Sequence, residues 1–185
     1  MAYNRDALID LLRSESLQLG EFTLASGKKA SYYLDCRKIT LHPKGANLIA
    51  EGMLEVMRQS GPLPDAVGGM AIGADPITAS IVTLAGQQDL PIKGFMVRKE
   101  PKGHGTGKQI EGPVVPGQRV VIVEDVITSG GSALKAVDVA IDFGLQVERV
   151  IAIIDRLAGG EAAFAAKGSP LTTLTTIRDF GIEPE

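Results

Sequence analysis

Apolar residues near the start of the chain recur at helical spacing: Leu8, Ile9, Leu11 and Leu12 form one stripe behind Asn4, a residue suited to cap a helix. The next stretch, EFTLASGKKASYYLDCRK (21–38), mixes polarity and predicts two short strands around a Ser26–Gly27 turn. Helical spacing returns with Leu48, Ile49, Met53, Val56 and Met57, and Pro43 fits the first turn of that helix. After the GPLP break at 61–64 the pattern changes to short, nearly unbroken apolar runs. DAVGGM (65–70), IKGFMVR (92–98), RVVIVEDV (119–126) and VERVIAIID (147–155) predict strands. Helices are predicted between them, from Pro76 to about Gly86 and from about Gly131 to Phe143. Strands that are apolar throughout are covered on both faces, so the pattern predicts an α/β fold with a central, mostly parallel sheet flanked by helices. TTLTTIRDF near the end predicts one more edge strand. No repeat, low-complexity tract or linker divides residues 1–185, which read as a single domain.

One stretch resists this pattern. KEPKGHGTGKQIEG (99–112) has four glycines, a proline and almost nothing to bury. A loop of that length inside a compact domain is usually functional or disordered, and often a lid. Charge makes it stand out further. The chain carries a net charge of -3, so no global basic field points to nucleic acid or membrane. Yet Arg98, Lys99, Lys102 and Lys108 lie in or beside this loop, and Lys28, Lys29, Arg37, Lys38 and Lys44 cluster in the N-terminal segment. Cys36 is the only cysteine, so no intrachain disulfide can form, which fits a reducing cytoplasm. MAYNRDALIDLL lacks a signal-peptide core, and apolar runs such as VIAII (150–154) are too short to span a bilayer. The expectation is a soluble cytoplasmic protein.

Candidate chemistry concentrates in VVIVEDVITSGGSA (120–133). Four β-branched residues end in two carboxylates, Glu124 and Asp125, and then in a turn rich in hydroxyls and glycine. Ligands of open parallel sheets bind beyond the carboxyl ends of strands, which is where both acids fall. Adjacent carboxylates suit vicinal sugar hydroxyls. TSGGS supplies successive backbone N–H groups at the mouth of a helix, the components of a phosphate cradle. A solvated turn capping the next helix explains TSGGS equally well by itself; the two preceding carboxylates favour the ligand. GHGTGK (103–108) lacks the P-loop glycine spacing, and Gln109 stands where a Ser or Thr is required. With only His42 and His104, a histidine zinc site is not expected.

VVIVEDVITSGGSA resembles the phosphoribosyl pyrophosphate (PRPP) signature of type I phosphoribosyltransferases. FTLASGKKASYYLDCRK, RKEPKGHG (98–105) and DRLAGG (155–160), together with AIGADPITASI (71–81), resemble the orotate branch of that family. The resemblance implies the type I phosphoribosyltransferase fold, with a small N-terminal hood over residues 1 to about 40 and a core over about 41–185. It implies transfer of phosphoribosyl from PRPP to orotate in pyrimidine (UMP) biosynthesis, with Mg²⁺ carried by PRPP rather than by protein side chains. It also implies a homodimer that shares the loop between subunits, and partners limited to PRPP and orotate. By the same resemblance Glu124 and Asp125 hold the ribose hydroxyls, and Val126, Ile127, Thr128, Ser129, Gly130, Gly131 and Ser132 wrap the 5′-phosphate. Arg98, Lys99, Lys102 and His104 bind pyrophosphate, with Asp125, Lys102 and His104 as the catalytic groups. Thr128 and Arg156 contact orotate, and Ser26, Gly27, Tyr32 and Tyr33 line its pocket, one of the two tyrosines serving as ordinary packing. Ala25 and Gly73 stand where some relatives carry lysine. A phosphoribosyltransferase for another base remains an alternative reading. A PRPP-sensing regulator ranks below it, because the loop is intact and no DNA-binding segment is appended.

Overall fold

The computed structural model describes residues 3–23, 29–101 and 108–184. Helix α1 (Arg5–Leu11) starts where the cap is expected, with the Asn4 side chain accepting the Ala7 N–H at 3.0 Å. A π-helical turn over Leu12–Ser16 leads into β1 (Leu17–Thr23), which pairs antiparallel with β2 (Lys29–Leu34). The short α2 (Arg37–Thr40) precedes α3 (Pro43–Gln59), whose N-terminal N–H groups at Lys44 and Gly45 bond the His42 ring.

The remaining elements alternate: β3 (Ala66–Met70), α4 (Asp75–Gln87), β4 (Lys93–Val97), β5 (Ile110–Glu111), β6 (Arg119–Ile127), α5 (Gly131–Asp142), β7 (Gln146–Asp155), α6 (Gly160–Ala166) and β8 (Leu171–Thr176). They form a six-stranded sheet in the order β5-β4-β3-β6-β7-β8, parallel except for β5. The chain moves outward from β3 to β4, returns to β6 at the centre, and moves out the other way. Right-handed crossovers in opposite directions place their helices on opposite faces. Accordingly α3 and α4 cover one face, where Met53, Ile77 and Ile81 pack on Val67, Val121 and Ile151. On the other face Ala136, Val137 and Phe164 of α5 and α6 pack on Ile122, Val150 and Ala152.

The N-terminal unit is joined to this core by packing: Leu8, Leu12, Tyr32, Cys36 and Ile39 belong to the same apolar cluster as Met53. Three local readings change. Within 99–112 the pair Ile110–Glu111 forms an edge strand against β4, with Ile110 buried; two residues are too few to show a period. Helix α6 was not foreseen, since GEAAFAA offers only Phe164 as a large apolar anchor. The final strand ends at Thr176, where a capping box between Thr176 and Asp179 starts a 3₁₀ turn over Ile177–Phe180. No helix among the described residues is long and apolar enough to cross a membrane.

Candidate active site

The direction of winding reverses between β3 and β6, so a crevice opens beyond their carboxyl ends. A cavity of about 450 Å³ occupies that place. Its walls include Met70, Ala71 and Gly73 at and beyond the end of β3, Glu124 and Asp125 on β6, Tyr33 to Arg37 at and beyond the end of β2, and Arg156 after β7. Residues far apart in the chain thus meet at one point of the topology.

Glu124 is 5% exposed. Its Oε1 accepts the Asp125 N–H at 3.3 Å, while the buried Oε2 has no partner among the described residues. Burial, reinforced by the neighbouring Asp125 charge, raises its carboxyl from the ordinary 4.5 to about 7. A buried acceptor left without a donor is costly, and a sugar hydroxyl would satisfy it. Asp125 is half-buried, and its Oδ1 accepts the Val126 N–H at 2.7 Å.

A second cavity of about 200 Å³ adjoins these acids, lined by Val126 to Ala133. Gly130 caps α5 at φ 79, a conformation that favours glycine, and an added Cβ would lie 2.7 Å from the Phe164 ring. No side chain caps α5, so its first N–H groups face the hollow. Ile127 takes part through its backbone alone, because its side chain is fully buried.

Arg156 also borders the first cavity. Its Nε–H donates to the Tyr32 hydroxyl at 2.6 Å, and its guanidinium carbon sits 4.7 Å from the Tyr32 ring centroid. This separates the two tyrosines. Tyr33, 40% exposed, lines the cavity, whereas Tyr32, 3% exposed, does not and reaches it only through Arg156. Alternation of side chains along a strand accounts for the difference.

Thr128, Ser132 and Lys99 also border the main cavity. Arg98 does not. It pairs with Glu111 at 3.6 Å and lines a separate hollow of about 500 Å³ with Lys99 and Asp75. The base of the 99–112 loop is anchored by Arg98 N–H to Gln109 O at 2.8 Å, and by Lys135, which donates to the Lys99 carbonyl at 2.7 Å. Ser26, Gly27, Ala25, Lys102 and His104 lie outside the described residues. A Cβ placed on Gly73 would meet Glu124 Oε1 at 3.5 Å and Asp125 Oδ1 at 3.8 Å, so a side chain there would abut both acids.

Two charged cavity residues were not assigned to the site from the sequence. Asp35 and Arg37 form a bidentate pair, Nε to Oδ1 at 2.9 Å and Nη2 to Oδ2 at 3.2 Å, on the cavity rim. Their D-x-R spacing was the available signal, but surface charges with that spacing are common.

Residues 38–168 match the model of the phosphoribosyl transferase domain. The chain is 72% identical to orotate phosphoribosyltransferase of Rhodopirellula baltica, over 98% of this chain and 97% of that protein. It belongs to the orotate phosphoribosyltransferase family. The crystal structure of the Mycobacterium tuberculosis H37Rv member in complex with Fe(III) dicitrate superimposes with a TM-score of 0.83 at 38% identity, covering 96% of this chain and 99% of that one. A structure of the same M. tuberculosis enzyme in complex with PRPP has a TM-score of 0.79 at 35% identity, with the same coverage. For an orotate phosphoribosyltransferase the arrangement is chemically economical. Acidic acceptors, a phosphate-sized hollow and a fixed guanidinium border one crevice.

Proposed function

We propose that the protein transfers the 5-phosphoribosyl group of PRPP to orotate, giving orotidine 5′-monophosphate and pyrophosphate for pyrimidine biosynthesis. The observation that carries this reading is the buried Glu124 carboxylate, whose Oε2 has no partner among the described residues, beside the uncapped start of α5, with Arg156 lining the same cavity. Residues Val126 to Ser132 wrap the 5′-phosphate, with the donors coming from N–H groups beyond Val126, whose own N–H goes to Asp125 Oδ1. Glu124 and Asp125 accept the two ribose hydroxyls. The Arg156 guanidinium faces the orotate carboxylate, a pairing suited to its fork of donors.

In the reaction the anomeric C–O bond to pyrophosphate breaks and a C–N bond to the pyrimidine forms. Positive charge grows on the ribose and negative charge on the departing pyrophosphate. Asp125 lies beside the developing cation, and Arg98, Lys99, Lys102 and His104 answer the developing anion. Closure of the 99–112 loop excludes water that would otherwise intercept the ribosyl group. Arg98 lines a separate hollow while Lys99 lines the main cavity; in a homodimer of the kind the family resemblance implies, the loop would serve the neighbouring site.

The residues present fit Mg²⁺ arriving with PRPP. Glu124 and Asp125 offer hard oxygens, one of them unpartnered, and Mg²⁺ sites often combine one or two carboxylates with substrate phosphates. When bound, Mg²⁺ neutralises charge on the pyrophosphate. The work of the protein's own residues is to orient ribose, phosphate and base around it. A reducing, cytoplasmic setting suits the single buried thiol of Cys36.

Orotate absorbance tests the reading directly. Orotate should be consumed only when PRPP and Mg²⁺ are both present. Consumption of adenine or hypoxanthine with orotate untouched would overturn the base assignment.

A further inference from the structure

Arg156 is held in place from three directions. Its backbone N–H donates to the Ile127 carbonyl at 2.9 Å, tying the β7–α6 turn to the end of β6. The next residue, Leu157, has φ 56, an uncommon conformation for a branched side chain. Its N–H donates to Asp155 Oδ1 at 2.8 Å, which pins the turn in that shape. Strain of this kind persists where the surroundings over-determine it, and it clusters at ligand clamps.

The third constraint comes from the N-terminal unit. The Tyr32 hydroxyl takes the Nε–H of Arg156, and the Tyr32 ring lies under the guanidinium. Tyr32 is buried in the apolar cluster with Cys36 and Ile39, so its ring has little freedom of its own. Among the described residues the terminal amino groups of Arg156 make no hydrogen bond and no ion pair, while Arg156 lines the main cavity. With Nε occupied, the guanidinium presents its Nη1–Nη2 edge to a ligand. That edge is the fork that meets a carboxylate with two parallel hydrogen bonds.

We propose that Tyr32 is a positioning residue: its hydroxyl and ring fix the Arg156 guanidinium in the orientation that grips the carboxylate of an anionic pyrimidine. This rests on the reading of Arg156 as the orotate contact. An unanchored arginine loses rotamer freedom when it binds, and anchoring it beforehand removes that penalty from ligand binding. Tyr32 therefore acts on affinity for the base through Arg156, without touching the base.

The decisive variant is Tyr32→Phe, which keeps the ring and its packing and removes only the hydroxyl. KM for orotate should rise about tenfold, the scale of one hydrogen bond to a charged group. KM for PRPP, kcat and the melting temperature should stay within normal scatter. In an Arg156→Ala background the same substitution should cost nothing more. A Tyr32→Phe enzyme with unchanged KM for orotate, or an equal penalty in both backgrounds, overturns the proposal. So does a loss shared by both substrates together with lowered melting temperature, since that is the signature of packing alone. Nitrogen-15 NMR of the unliganded protein supplies a readout independent of turnover. The Arg156 Nε–H should exchange slowly in the wild type and rapidly in Tyr32→Phe; rapid exchange in both refutes the anchoring. If the wild type leaves orotate untouched, the assigned reaction fails, and the exchange measurement still decides whether Tyr32 holds Arg156.

Discussion

Replacing Glu124 by Gln should stabilise the unliganded protein at neutral and alkaline pH while removing its ability to serve the ribose. The carboxyl is buried beside Asp125, and its Oε2 finds no donor among the described residues. Burial and that neighbouring charge raise it from 4.5 to about 7. Because the folded state binds this proton more tightly than the unfolded chain, the contribution to stability is full below 4.5. It is lost as pH climbs through about 7. At about 1.4 kcal/mol per pH unit, the gap makes the ionised form cost roughly 3 kcal/mol at pH 8. Gln has nearly the same shape and no charge to desolvate. Urea denaturation of both proteins, without ligand, from pH 5 to pH 8.5 measures the effect. The two should be nearly equal at pH 5. By pH 8 Glu124→Gln should be more stable by roughly 3 kcal/mol, equivalent to a melting temperature about 6–12 °C higher for a chain of this size. Parallel pH profiles for the two proteins would refute the reasoning, because they would mean that the Glu124 charge is not paying a burial penalty.

Further outcomes follow from the same geometry. Asp125→Asn, folded normally, should lose roughly a hundred- to a thousandfold in turnover, the scale of one well-placed electrostatic group, and near-normal turnover would remove it from the ribose. Mixing inactive Lys102→Ala and Asp125→Asn subunits should recover about a quarter of wild-type activity if the loop serves the neighbouring site, since roughly half the dimers are mixed and half their sites intact. No recovery after mass spectrometry has confirmed subunit exchange would place the loop over its own site. Gly52→Ala would bring a Cβ to 2.7 Å from the Tyr3 ring, so it should cost about 1–3 kcal/mol by overpacking. It should also return the Tyr3 phenol, raised by burial to about 12, toward its usual range; absorbance at alkaline pH checks this, and an unmoved titration would contradict the packing.

Much of the molecule was legible from local pattern because the relevant forces act over a few residues. Asn4 and Pro43 announce helix starts through backbone donors that need a cap or need none. The apolar runs at β3, β4, β6 and β7 announce strands covered on both faces. VVIVEDVITSGGSA announces acids and then a cradle because the order of strand end, turn and helix mouth is itself sequential. Shorter or weaker signals failed: Ile110–Glu111 is too brief to show a period, and GEAAFAA carries a single large apolar anchor.

Which residues share a cavity is a different kind of question, decided only by tertiary structure. Tyr32 and Tyr33 are chemically alike neighbours, yet the pleat sends one beneath Arg156 and the other to the cavity wall. Arg98 and Lys99 look equivalent in the loop, but Arg98 turns toward Glu111 while Lys99 borders the main cavity. Glu124 meets Gly73 because β3 and β6 are adjacent in the sheet, although some fifty residues separate them in the chain. Its elevated proton affinity likewise depends on burial by those distant segments. Propensity, capping and periodicity are properties of neighbours along the chain. Burial, desolvation and the facing of one charge toward another arise only when the sheet brings remote segments together.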